Sequence, residues 1–191
     1  GVDLSEHQLA ANREQAQTIV PDAPPVWIAG DSRDVATLAP GEYDLIFSCP
    51  PYGDLEVYSD DPRDISTMPY ADFLAAYREI IGKAVAMLKP DRFACFVVGD
   101  IRDKAGRMRN FVSHTIEAFQ YAGAALYNEV ILVTAVGSLP IRVGKQFTSG
   151  RKVGKTHQNV LVFVKGDPKR AVEACGPIAV TVPEEEPGLV P

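Results

Sequence analysis

The sequence predicts an α/β domain with a largely parallel sheet. Two observations carry that reading: short apolar runs closing on Gly, Asp or Pro turns alternate with segments of helical periodicity, and the last two runs have no helical crossover between them. A third sets the scale. The chain has 191 residues, close to one domain at roughly 150 residues each, and its 46% hydrophobic and 23% charged content suits a single sizeable core.

The elements follow in order. Leu9, Ala10, Ala16 and Ile19 recur at helical spacing behind Ser5, a capping residue, which predicts a helix from Ser5 to about Gln17 that Pro21, Pro24 and Pro25 stop. Val26–Ala29 reads as a buried strand opening into Gly30-Asp31-Ser32. Tyr43–Ser48 is a second such strand, and Cys49-Pro50-Pro51-Tyr52-Gly53 is an abrupt turn at its carboxyl end. Residues 54–68 are polar and acidic, the composition of a mobile loop. Phe73, Leu74, Tyr77, Ile80, Ile81, Ala84, Val85 and Leu88 form one stripe, so a long helix is expected over 72–88, ended by Lys89-Pro90. A strand over 92–98, a helix over 110–121, a strand over 127–136 and a last strand over 159–164 complete the domain, the final two strands being antiparallel neighbours. The proline- and glutamate-rich stretch from 167 to 191 reads as a flexible tail after a domain spanning 1–166.

Several functional classes are excluded at this stage. No run of 18 uncharged apolar residues is present, and the first twenty residues carry Asp3, Glu6, Arg13 and Glu14, so neither a membrane span nor a secretion signal is expected. Cys49, Cys95 and Cys175 are odd in number and widely spaced, which suits a reducing cytoplasm and draws neither a disulfide framework nor a zinc site. His7, His114 and His157 are too scattered for a metal. The net charge of −6 opposes a uniformly basic surface. One stretch departs from that average: Arg142, Lys145, Arg151, Lys152 and Lys155 follow one another with no acidic residue between, either as a solvated loop or as a phosphate-binding one.

In open α/β sheets ligands bind at the carboxyl ends of strands. Asp3, Asp31-Ser32 and the turn from Ser48 to Tyr52 occupy such positions. Asp3 is either a surface carboxylate or an acceptor for ribose hydroxyls, and Asp31 is either a turn cap or an acceptor for an adenine amino group. Pro50 and Pro51 lack amide hydrogens, so their rigid turn leaves carbonyls to accept from an exocyclic amine, and Tyr52 offers a ring for a base pulled out of a duplex.

Asp44-Leu45-Ile46-Phe47-Ser48-Cys49-Pro50-Pro51-Tyr52 resembles the catalytic segment of S-adenosylmethionine-dependent DNA methyltransferases that modify adenine N6 or cytosine N4, whose motif is Asp, Asn or Ser followed by Pro-Pro and an aromatic residue. Gly1-Val2-Asp3-Leu4 is similar to the family's ribose-binding strand end. Ile28–Ser32 resembles its adenine-contacting segment, and His157–Lys165 its terminal strand. The resemblance covers about residues 1–166. It implies a Rossmann-like methyltransferase sheet, mostly parallel with an antiparallel terminal pair; S-adenosylmethionine held by Asp3, Leu4, Asp31, Ser32 and Ser48; and DNA as partner, its phosphates met by Arg142, Lys145, Arg151, Lys152 and Lys155. It also implies catalysis by Ser48, Cys49, Pro50, Pro51 and Tyr52, with no metal and with a homodimer or partner subunit as a source of specificity.

The sequence departs from the family pattern twice. Cys49 stands where an oxygen-bearing side chain is usual, and a thiol is a poor acceptor, so Ser48 or a backbone carbonyl has to share that duty. The family's glycine-rich cofactor loop has no counterpart, and the first strand with that loop is expected to precede residue 1. Alternatives stay open: attack of Cys49 on C6 of a pyrimidine with methylation at C5, methylation of RNA or protein, and a degenerate nucleic-acid-binding module.

Overall fold

The computed structural model describes residues 1–135 and 139–179, with the backbone alone for 139–142. Val2–Asp3 (β1) pairs in parallel with Ile28–Ala29 (β2), in register Val2 to Ile28 and Asp3 to Ala29. Between them lies α1, Glu6–Ile19, buried through Leu9 and Ala16. Ser5 caps it as its side-chain type predicts, its hydroxyl accepting from the Gln8 amide at 3.2 Å. The strand expected from Val26 onward shrinks to two residues, directly after Pro24 and Pro25 have withdrawn two amide donors. A 3-10 turn at Ser32–Asp34 and a short helix, α2 (Val35–Leu38), follow β2.

A second sheet holds the rest: β3 (Tyr43–Ser48), β4 (Leu88–Val98), β5 (Ala125–Val133) and β6 (His157–Lys165), in the order β3-β4-β6-β5. β3 and β4 are parallel, whereas β6 is antiparallel to both β4 and β5. Three strands therefore share one direction and β6 alone opposes them, inserted between its neighbours where sequence alone paired it only with β5. The long helix α3 (Tyr70–Met87) passes straight into β4 at Leu88, four residues before the expected start. Asp91, at φ 57°, marks the irregularity that lets Pro90 sit in that early stretch.

Helix α3 and α4 (Phe111–Tyr121) cover one face of this sheet. Phe73, Tyr77, Ile81 and Val85 from α3 and Phe111, Ala118 and Phe119 from α4 meet Ala94, Phe96 and Val98 of β4 and Leu161 and Phe163 of β6. Strand alternation explains the choice: even positions of β4 and odd positions of β6 point to the helices. Phe119 stacks on Phe163 with centroids 3.9 Å apart. The opposite face is barer. Leu45 is 58% exposed and Phe47 67%, and Tyr127 and Val130 on the same sheet are also exposed.

Three expectations are corrected. The stretch taken as a flexible tail from 167 begins with a helix, α6 (Pro168–Cys175), because Asp167 caps it through the Lys169 and Arg170 amides and Ala171 is fully buried; residues 180–191 lie outside the described residues. The segment 54–68 holds a 3-10 turn at Ile65–Thr67 whose Asp64 and Ser66 are buried and bonded. The basic stretch is largely helical, as α5 (Leu139–Gly150).

Candidate functional site

Among the described residues β1 and β3 belong to separate sheets, each paired on one side only, and both line a cavity of about 700 Å³. The carboxyl ends of three strands converge on it: Asp3 and Leu4 at the end of β1, Asp31 and Ser32 after β2, and Ser48, Cys49, Pro50 and Pro51 at the end of β3. These segments are separated by up to 48 residues in sequence, and strand geometry alone unites them. The volume is that of a small-molecule pocket.

Each strand end is fixed locally. Asp3 accepts the Ser5 amide on Oδ1 at 2.8 Å, which starts α1, and its second oxygen accepts no hydrogen bond among the described residues. Asp31 is spent differently. It caps the 3-10 turn through the Arg33 amide at 2.8 Å and takes the Arg33 guanidinium on both oxygens, at 2.6 to 3.1 Å. The Arg33 fork holds the Asp31 carboxyl below its ordinary range, partly offset by burial. The cap and the Arg33 fork occupy the oxygens that the expected adenine contact would use.

The carbonyls of Pro50 and Pro51 accept no hydrogen bond among the described residues, and Cys49 is exposed at the cavity. Tyr52 is held apart from its neighbours in the motif. Its ring packs beside Phe111, centroids 5.8 Å apart, and it is absent from the cavity wall. Its hydroxyl donates to the Val97 carbonyl at 3.2 Å and accepts from Gln158 Nε2 at 2.8 Å, with Cys49 Sγ 3.8 Å away. Burial first, and then Cys49, push the Tyr52 hydroxyl well above the usual phenol range. β4 and β6 thus grip the polar end of Tyr52, whose ring the sequence reading offered to an extruded base. Gly53, at φ 62°, then turns the chain against the Tyr70 ring, a conformation that favours glycine.

Other residues of the site escaped the sequence reading. Tyr58, Asp61, Arg63, Asp64 and Ile65 form a wall of the cavity. Asp64 organises that wall, its Oδ1 accepting the Ser66 amide and hydroxyl at 2.8 and 2.7 Å and its Oδ2 the Ser59 hydroxyl at 2.8 Å. A signal was available, since Asp-x-Ser is the pattern of an Asx turn. Gln158 had none, because only the insertion of β6 beside β4 brings it to Tyr52.

Of the basic residues, Lys155 lies next to the turn: a Cβ built on Gly99 would sit 3.1 Å from Lys155 Nζ and 3.6 Å from the Tyr52 ring. Lys145 lies on α5, with Arg151 and Lys152 just beyond it. The Arg142 side chain is outside the described residues. Among the described residues no cluster of three His, Cys, Asp or Glu side chains is placed to hold a metal, and no helix is long and apolar enough to cross a membrane.

Solved structures similar to this backbone include methyltransferases. One is a provisionally assigned DNA modification methylase from Thermus thermophilus complexed with S-adenosyl-L-methionine, at TM-score 0.51 and 19% identity over 72% of this chain and 54% of that one. TrmN from the same organism gives 0.52 and 17% over 86% and 35%, and a methyltransferase from Pyrococcus furiosus gives 0.52 and 16% over 87% and 61%. The fold is that of a Rossmann-like methyltransferase. Identities this low establish the fold alone, and the chain spans about half the length of the modification methylase. No family model matches the chain, and no curated protein does.

Proposed function

We propose that the chain belongs to an S-adenosylmethionine-dependent methyltransferase acting on an exocyclic amino group of a nucleic-acid base, adenine N6 or cytosine N4 in DNA. The convergence of Asp3, Ser32 and the Ser48–Pro51 turn on one cavity carries the reading. The donor set suits the adenosine half of the cofactor: Asp3 has a carboxylate oxygen to offer ribose hydroxyls, and Leu4 and Ser32 lie beside it. Asp31 reaches an adenine amine only by sharing its oxygens with Arg33. β1 and β3, each paired on one side only, flank the place where the strand and glycine-rich turn implied by the resemblance would pair.

When bound, the cofactor supplies an electrophilic methyl group on a positively charged sulfur. The chain's own part is to orient the target amine and take charge from it. The Pro50 carbonyl and the Ser48 hydroxyl accept hydrogen bonds from the amine, which aims its lone pair and favours loss of its proton as positive charge develops. Two prolines keep those acceptors rigid and deny them internal donors. Cys49 contributes a weak acceptor beside them. Tyr52, tied by Gln158 and Val97, fixes the far end of the turn, and the exposed Tyr58 supplies an aromatic ring at the cavity wall.

Calorimetric titration with S-adenosylmethionine tests the reading. Heat of binding is expected, weakened on the order of tenfold to a hundredfold by Asp3→Ala, as losing a hydrogen bond to a charged group worth ~1.5–3 kcal/mol requires. A folded protein that takes up no cofactor, or an Asp3→Ala variant that binds as well as the parent, would overturn it.

A further inference from the structure

Beyond β4 the chain folds into a small hairpin over 101–109 that the sequence did not mark out. Ile101 is buried at its base, Arg102 bridges to Met108, and the Arg109 amide closes it on the Ile101 carbonyl at 2.9 Å. Asp103 makes the tip: its Oδ1 accepts the Arg107 amide at 2.8 Å and its carbonyl the Gly106 amide at 2.9 Å, with Gly106 at φ 85°. Three cations stand on this frame, Arg102, Lys104 and Arg107, all exposed, with Arg102 donating to the Gly106 carbonyl at 2.9 Å.

The fourth basic residue, Arg109, is an anchor. Its guanidinium lies 4.3 Å above the Tyr70 ring and pairs with Asp54 at 2.9 Å, two residues past Tyr52. The hairpin is therefore tied to the segment that carries the Pro-Pro turn. Its other side meets the basic run. A Cβ built on Gly106 would lie 3.1 Å from Lys152 Cε and Nζ, and Lys155 Nζ donates to the Asp100 carbonyl at 3.2 Å.

Two stretches, 101–109 and 143–155, thus form one surface. They hold eight of the chain's 19 lysines and arginines and one of its 25 aspartates and glutamates, so a protein of net charge −6 gathers its positive charge beside one turn. Among the described residues none of Arg102, Lys104, Arg107, Lys145, Arg151, Lys152 and Lys155 forms an ion pair. Cations without carboxylate partners, all exposed but the half-buried Lys152, suit a polyanion whose charges repeat along a line.

We propose that the 101–109 hairpin and the 145–155 segment together grip the phosphodiester backbone of a nucleic acid, with the hairpin as an arm separate from the basic run. The assignment rests on the functional reading above for its choice of nucleic acid, and its test needs neither cofactor nor methyl transfer. Fluorescence anisotropy with a labelled 20-base-pair DNA duplex, the matching RNA duplex and heparin reads it at several salt concentrations.

Binding to at least one duplex is expected, with affinity falling steeply as salt rises. The triple variant Arg102→Gln/Lys104→Gln/Arg107→Gln should lose at least tenfold in affinity and flatten the salt slope by about one per phosphate contact removed. Lys152→Gln should act in the same sense. The charge-preserving R102K/K104R/R107K and a distant control, Lys169→Gln on α6, should bind as the parent does. Parental binding by the hairpin triple variant, an equal loss in the control, or uptake of heparin but neither duplex overturns the proposal. DNA binding without RNA binding, or the reverse, supports it and names the polymer. If the parent binds duplex yet takes up no cofactor in calorimetry, the grip stands and the methyltransferase reading falls.

Discussion

Oxygens and protons decide most at the residue scale. Asp31 lies below its ordinary carboxylate range because of Arg33, so its ionised form is favoured by folding. The stability it contributes is complete above the unfolded value of ~3.9 and is lost as pH falls through the lower folded value. Arg33→Met should therefore raise the midpoint of acid unfolding followed by circular dichroism; an unchanged midpoint would show that the fork contributes nothing. The same substitution frees both Asp31 oxygens. If Arg33 competes with a ligand, cofactor uptake should rise while acid resistance falls. At Tyr52, Gln158→Leu removes one of two bonds to the hydroxyl and should cost about 0.5–1.5 kcal/mol in urea denaturation. On the proposed function, methyl transfer should fall further than that loss implies, since the turn is no longer held from behind.

Elements owe their placement to a few side chains. Asp64 alone ties Ser59, Ser66 and the Thr67 hydroxyl, which bonds its carbonyl at 2.8 Å, so one carboxylate turns a polar stretch into a cavity wall. Asp64→Ala should cost on the order of 1–3 kcal/mol and speed amide exchange over 58–67 while leaving α3 protected. Exchange confined to its former rate would show that the wall is held by something else. In the core, Phe163 is fully buried against Phe119, and Phe163→Ala should cost about 3–5 kcal/mol, read as a shifted urea midpoint. Leu38 supports β2 more modestly: its side chain fills the space beside Gly30.

Across the whole molecule, the sheet is divided and one of its faces is open. β3 is an apolar edge strand with Leu45 and Phe47 exposed, a combination natural proteins usually cover or blunt. The isolated chain should bind a hydrophobic dye and self-associate with rising concentration in sedimentation velocity. Phe47→Lys should reduce both while preserving the helical signal; association unaltered by that change would place the sticky surface elsewhere.

Residues 110–121 read as a helix because their apolar period has one solution, and Ser5 read as a cap because its hydroxyl acts within three residues. The Pro-Pro turn was legible for the same reason, since missing amides and a fixed φ are local facts. The alternation of strands and helices sufficed for the α/β class and for an antiparallel final pair. Local information could not reveal that β6 enters between β4 and β5, because pairing is chosen by which faces bury together across more than 60 residues. That one insertion carries Gln158 to Tyr52 and Lys155 to Gly99. The helix at 168–175 was hidden by its flanking prolines and glutamates, yet burial of Ala171 against the sheet stabilises it. Sequence determined the chemistry available, and tertiary structure decided which groups share a cavity, because hydrogen bonds and charges act over a few ångströms of space whatever their distance along the chain.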